Sequence, residues 1–184
     1  MSTPQPFTLP DTLELLARAP AAINALLRGL PQSWAHRDEG AGTWSPYEII
    51  GHLIAGEHTD WMPRIRLILN SGEARPFDPF DRFAQSRVSQ DKSLDHLLDD
   101  FTALRKQNLT DLDALHLQPA DLERRGIHPA LGTVTLSELL ATWAVHDLTH
   151  LHQLTRVFAR PLRDAVGPWS DYLGVLKCTG HSAP

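Results

Sequence analysis

The chain is poor in the features that would place it outside ordinary globular proteins. It has one cysteine, Cys178, so no internal disulfide can form. No apolar run is long enough to span a bilayer, and the opening MSTPQPFTLPDT lacks the basic flank and apolar stretch of a secretion signal. No block of lysine and arginine occurs, and a net charge of −5 argues against nucleic acid or an anionic membrane as partner. The expectation is a soluble cytoplasmic protein. What is present fits that reading, with 42% hydrophobic and 21% charged residues. A length of 184 residues suits one domain, 1–184, with a polar tail from about 177. The one excess is histidine, with ten.

Helix punctuation organises the chain. In DTLEL, Asp11 reads as an N-cap with Glu14 three residues on, and Pro20 either kinks the helix or opens its main part before Gly29 and Pro31 stop it. In TWSPYEIIGHL, Ser45 reads as the cap, Pro46 as the first helical residue and Glu48 as the partner that completes a capping box. Ile49, Ile50, Leu53, Ile54, Trp61, Ile65 and Leu69 then recur at helical spacing, predicting one helix from about Pro46 to Leu69. GEARPFDPFDRFAQSRV has no sustained period and reads as a long connection whose phenylalanines pack on the helices. SLDHLLDDFTALRKQNLTDLDAL is the third helix, striped by Leu94, Leu97, Leu98, Phe101, Leu104 and Leu115. Thr135 and Glu138 repeat the box spacing before the last long helix, which Pro161 ends, and PWSDYLGVL reads as a short final helix. No repeat and no strand is evident. The expected fold is all-α, a four-helix bundle with a long connection between helices 2 and 3 and a short C-terminal helix.

AVHDLTHLHQL places three histidines in seven residues of that last long helix. At about 100° per residue, His146 and His150 share a face and His152 points the other way. Trp143 and Gln153 lie on the shared face, the side a bundle helix turns inwards. Two inward imidazoles one turn apart can reach one metal ion, although HDLTH lacks the glutamate of zinc peptidases. His52 lies among Ile49, Leu53, Gly56 and Thr59. Taken alone it reads as a core histidine bonded to a carbonyl or to Glu48. Taken with the pair, it completes the three-imidazole set of an open metal site. His58, about 120° round from His52, cannot face the same ion, and Glu57, His58 and Asp60 read as a polar flank. Cys178 with His181 would be a loose pair in the tail.

TWSPYEIIGHL and HDLTHLHQL together resemble the DinB/YfiT-like superfamily of DNA-damage-inducible metalloenzymes. The resemblance covers nearly the whole chain and is sharpest at W-S-x-x-E-x-x-x-H and H-x3-H-x2-Q. It implies an up-down-down-up bundle holding a divalent ion, most often zinc or nickel with iron or manganese as alternatives, on His52, His146 and His150. Gln153 matches the glutamine that recurs after the pair. Thr149 stands where relatives often have a histidine, and His152 where they have a small residue. Relatives include S-transferases using bacillithiol and a maleylpyruvate isomerase using mycothiol.

The leading expectation is therefore a metal-dependent transferase or hydrolase acting on a small molecule, with a low-molecular-weight thiol as cosubstrate. Glu48 is the expected general base or hydrogen-bond partner to a ligand, and Asp147 comes next. Asp147 points about 100° from its neighbour His146 and is expected to form at most a surface salt bridge. Trp143 and Trp44 are candidate pocket walls, although core packing is the commoner fate of such residues. Two rival readings stand beside this one. One is a non-catalytic metal-binding stress protein, and the other is a helical dimerisation module that needs no metal. A homodimer is the assembly that base rates alone favour.

Overall fold

Capping chemistry sets where the helices begin in the computed structural model, which describes residues 7–79, 81 and 84–178. Helix α1 (Leu9–Leu27) starts earlier than DTLEL suggested, because Thr8 is the cap and accepts from Asp11 N–H. Asp11 instead lies in the first turn, where its charge suits the helix dipole, and Pro20 is buried within the continuous helix. A single turn, α2 (Gln32–Ala35), leads to α3 (Pro46–Thr59). Ser45, Pro46 and Glu48 form the expected capping box there, with both reciprocal bonds present.

The single helix expected from Pro46 to Leu69 is two. It breaks at Asp60 (φ −104°, ψ −62°), and α4 (Trp61–Ser71) continues. Pro63 is the cause: it has no N–H to offer the Thr59 carbonyl, and its ring crowds that turn. After α4 come α5 (Ala84–Ser89), α6 (Leu94–Asp113, capped by Ser93) and the turn α7 (Pro119–Leu122). Leu115, expected on the α6 stripe, falls just beyond its end and still packs on the core. Helix α8 (Leu136–Ala159) carries the predicted Thr135–Glu138 box, and α9 (Gly174–Lys177) is short.

Two short strands accompany the helices, where the sequence showed none. β1 (Arg125–His128) pairs antiparallel with β2 (Gly132–Thr135), and Pro76 bridges to Ile127. Four residues per strand are too few for alternation to register in the sequence. The hairpin pins the long connection, since Phe77 N–H donates to the Ile127 carbonyl at 2.8 Å and the Phe77 ring is buried. Phe80, Phe83 and His181, which carried other expectations, lie outside the described residues.

The long helices form a four-helix bundle in which α1 packs on α6 and α8, and α3–α4 pack on the same two partners. Two apolar clusters fill it. One is built around Trp61, Ile65 and Trp143, and the other around Ile50, Leu97, Phe101 and Leu154. Arg105 lies at their junction, its guanidinium 5.0 Å from the Trp143 ring and 5.1 Å from that of Phe101. It donates to Glu57 of α3, to Asp147 of α8 and to the Leu16 carbonyl of α1. One side chain thus ties together all four long elements. Replacing Arg105 by Met leaves two buried carboxylates unpaired and is expected to cost about 3–5 kcal/mol of unfolding free energy. Removing the exposed Arg18 of the Arg18–Glu14 pair should change chemical denaturation little. Equal effects of the two substitutions would show that the buried pairings contribute nothing beyond surface ones.

Candidate metal centre

Helices α3 and α8 bring the three histidines together across the bundle. His52 Nε2 lies 3.0 Å from His146 Nε2, and His150 Nε2 lies 3.1 Å from the same atom. The ligand atoms of all three lie within 4.8 Å of one another. Imidazole nitrogens bound at about 2.0–2.1 Å to one tetrahedral ion are about 3.4 Å apart, so this convergence fits a single metal ion. His58 and His152 are exposed and outside the group, as helix geometry requires.

The environment keeps the rings in the form that binds metal. His52 and His150 are 9% and 2% exposed. Burial, with the charge of His150 second, lowers the His52 pKa from 6.5 to about 3. Burial also pushes His146 well below 6.5, helped by His150, His52 and Arg105, and it lowers His150. Gln153, one turn beyond His150, sets that ring's orientation because its Oε1 lies 2.9 Å from His150 Nδ1. An Nδ1–H donating to Gln153 leaves the Nε2 lone pair facing the other two nitrogens. The His146 Nδ1 atom is buried with no hydrogen-bond partner.

Aromatic rings enclose the cluster. Half-buried Trp44 sits 4.8 Å from the His52 ring and 6.2 Å from that of His150. Trp61 meets His146 edge-on at 5.2 Å and stacks on Trp143 at 5.6 Å. In the sequence Trp61 is one apolar position among seven at helical spacing. Its period on α3–α4 gives no sign that the Asp60 break turns the ring towards α8.

Three expected roles need correction. Trp143 is fully buried, and its indole N–H donates to Glu57 Oε1 at 3.1 Å, so it belongs to the core rather than to a pocket wall. Glu48 is exposed and spends Oε2 on the Ser45 N–H and hydroxyl, at 2.9 and 2.7 Å, so it caps α3. Asp147 forms no surface bridge. It is 2% exposed and bonded to Arg105 from both oxygens. Glu57 and Asp60, which the sequence places on a polar flank, are also buried: Glu57 faces Arg105 of α6 and Trp143 of α8, and Asp60 pairs with Arg64.

Burial of neutral imidazoles makes stability depend on pH. In the unfolded chain His52 titrates near 6.5, and in the folded protein near 3. Between those values only the unfolded state takes the proton, so the stabilisation is complete above 6.5 and is lost towards about 3. His146 and His150 act in the same direction. Asp60 opposes them: burial, against the pull of Arg64, raises it from 3.8 to about 6, so its contribution is present below 3.8 and lost as pH rises through about 6. Burial also raises Asp147, against its bonds to Arg105, so it acts in the same direction as Asp60. With three imidazoles against these two carboxyls, the melting temperature of metal-free protein should fall between pH 7 and pH 5. A flat or rising profile would mean that the imidazoles are hydrated.

No curated protein matches the chain. Among solved structures, the fold is similar to that of YfiT from Bacillus subtilis, described as a probable metal-dependent hydrolase with an unusual four-helix bundle topology. The TM-score is 0.73 at 18% identity, covering 88% of this chain and 93% of that one. The sequence model of the DinB superfamily matches residues 15–154, a span that includes His52, His146, His150 and Gln153. The chain belongs to the DinB superfamily.

Proposed function

We propose that this protein is a metal-dependent enzyme in which His52, His146 and His150 hold one divalent ion that activates water or a small thiol against a small electrophilic substrate. The observation that carries the reading is the convergence of three imidazole Nε2 atoms from two helices. Zinc or nickel suits an all-imidazole set best, and iron or manganese less well. When bound, the ion supplies Lewis acidity at the coordination position that three protein ligands leave available.

The chain's own residues do the rest. Gln153 fixes the His150 ring, so that ligand is oriented before metal arrives. Trp44 covers one side of His52 and His150 and restricts water there. Trp61 backs His146 from the core. With Glu48 occupied as a cap and Asp147 on Arg105, neither carboxylate is available to move a proton at the centre. The proton released by the nucleophile would then pass to solvent or to the leaving group of the substrate. A thiol is favoured as the attacking group by its resemblance-based pedigree and because it ionises near neutral pH.

Purified protein should contain about one divalent ion per chain, and complete chelation should lower the melting temperature, with re-addition restoring it. His52→Ala, His146→Ala and His150→Ala should each lose the ion. His152→Ala, differing only in the direction its side chain leaves α8, should keep it. Loss from a folded His152 variant, or identical melting with and without metal, would overturn the reading. Turnover of an ester and of a halogenated dye plus thiol, each against metal-free protein, separates hydrolysis from transfer. Equal rates with and without metal mean background chemistry.

A further inference from the structure

The three ionisable side chains enclosed beside the histidines do not balance in charge. Arg105, Glu57 and Asp147 are 1%, 3% and 2% exposed. Their hydrogen bonds define the charge of both carboxyls. Asp147 Oδ2 and Oδ1 accept from Arg105 Nη1 and Nη2 at 2.6 and 3.0 Å. Glu57 Oε1 accepts from Arg105 Nε and Nη2 at 3.0 and 2.6 Å and from Trp143 Nε1 at 3.1 Å. Glu57 Oε2 accepts from Asn108 Nδ2 at 2.9 Å. Every one of these oxygens faces an N–H, so a proton on any of them would meet a donor and find no acceptor. Two carboxylates therefore share one guanidinium, which leaves a single surplus negative charge. Among the described residues, half-buried Arg64 and buried Arg156 do not offset it, because Arg64 is paired with Asp60 at 2.7 Å and Arg156 with Glu39 at 2.5 Å.

The surplus lies next to the histidine cluster. Asp147 follows His146 directly on α8. Glu57 holds the Trp143 indole, which stacks on Trp61, whose edge meets His146. The intervening material is aromatic and poorly screening, so a charge here acts at several ångströms.

We propose that the Glu57–Arg105–Asp147 network is the counter-charge of the cation held by His52, His146 and His150, raising its affinity through the field and not through contact. The inference rests on the metal-binding reading above. Neutral imidazoles bring no charge to a divalent ion, which would otherwise stand in the core without compensation. Glu57 and Asp147 are positioning residues: their hydrogen bonds run to Arg105, Asn108 and Trp143, not to an imidazole.

The test is the dissociation constant for Zn2+, measured by chelator competition at about pH 8, where free imidazole is neutral. Melting of the metal-free form is recorded beside it. Glu57→Gln and Asp147→Asn remove the surplus at constant side-chain size, and each should weaken Zn2+ about tenfold or more. Asn108→Lys cancels the surplus while stripping no buried carboxylate and keeping a donor for Glu57. It should weaken Zn2+ similarly, and it decides the matter if the other two fail to fold. The double variant Glu57→Gln/Arg105→Gln restores a charge of −1 and should bind Zn2+ more tightly than Glu57→Gln, although its metal-free form melts lower. A purely structural network would give the reverse order. Native affinity in folded Asn108→Lys, or a double variant weaker than Glu57→Gln, overturns the proposal while leaving the metal site intact. A native chain that takes no Zn2+ overturns both.

Discussion

Everything in this bundle is arranged around one buried guanidinium. Taking Arg105 and two carboxylates out of water costs several kcal/mol per ion, and only near-complete hydrogen bonding offsets that. The partners come from α1, α3 and α8, with Asn108 and Trp143 completing the shell around Glu57. An apolar side chain in place of Arg105 could fill the volume, but the mutual arrangement of four helices would then rest on non-directional packing. The network fixes how α3 and α8 face each other, and those are the two helices that carry the histidines.

That constraint explains why the histidine cluster can exist. Burial keeps the three imidazoles neutral, so the contacts among their Nε2 atoms, at 3.0 and 3.1 Å, rest on at most the one ring N–H that each still carries. Some other force must hold α3 and α8 at this separation. The Arg105 bonds on one side and the Trp61–Trp143 stack on the other supply it, with Trp44 closing the outer side. The site is preorganised by its surroundings, and this suits ligands that must be neutral and close together before an ion arrives.

Local signals in the sequence were reliable where the physics is local. Ser45–Glu48 and Thr135–Glu138 form their capping boxes because each needs only a side chain and a backbone group three residues apart. The directions of His146, His150 and His152 follow from helical pitch alone. The break at Asp60 was also written locally, in Pro63, but the apolar period running through it conceals the missing hydrogen bond. The β1–β2 hairpin was less legible, since its stability comes from the Phe77 segment packing on it, a contact remote in sequence.

By itself the sequence determined the helices, the face shared by His146 and His150, the family resemblance and the histidine set, because periodicity, capping and motif spacing are properties of neighbouring residues. Which polar residues lie inside was decided only by the tertiary structure. Glu57, Asp60, Arg105 and Asp147 look like surface charge in the chain, and each is buried in the fold. Asp60 is paired locally with Arg64, but the others find partners on other elements, tens of residues away: Arg105 is 48 residues from Glu57 and 42 from Asp147. A charged residue declares its desolvation cost in the sequence, but whether that cost is met depends on the group that arrives opposite it when the helices pack.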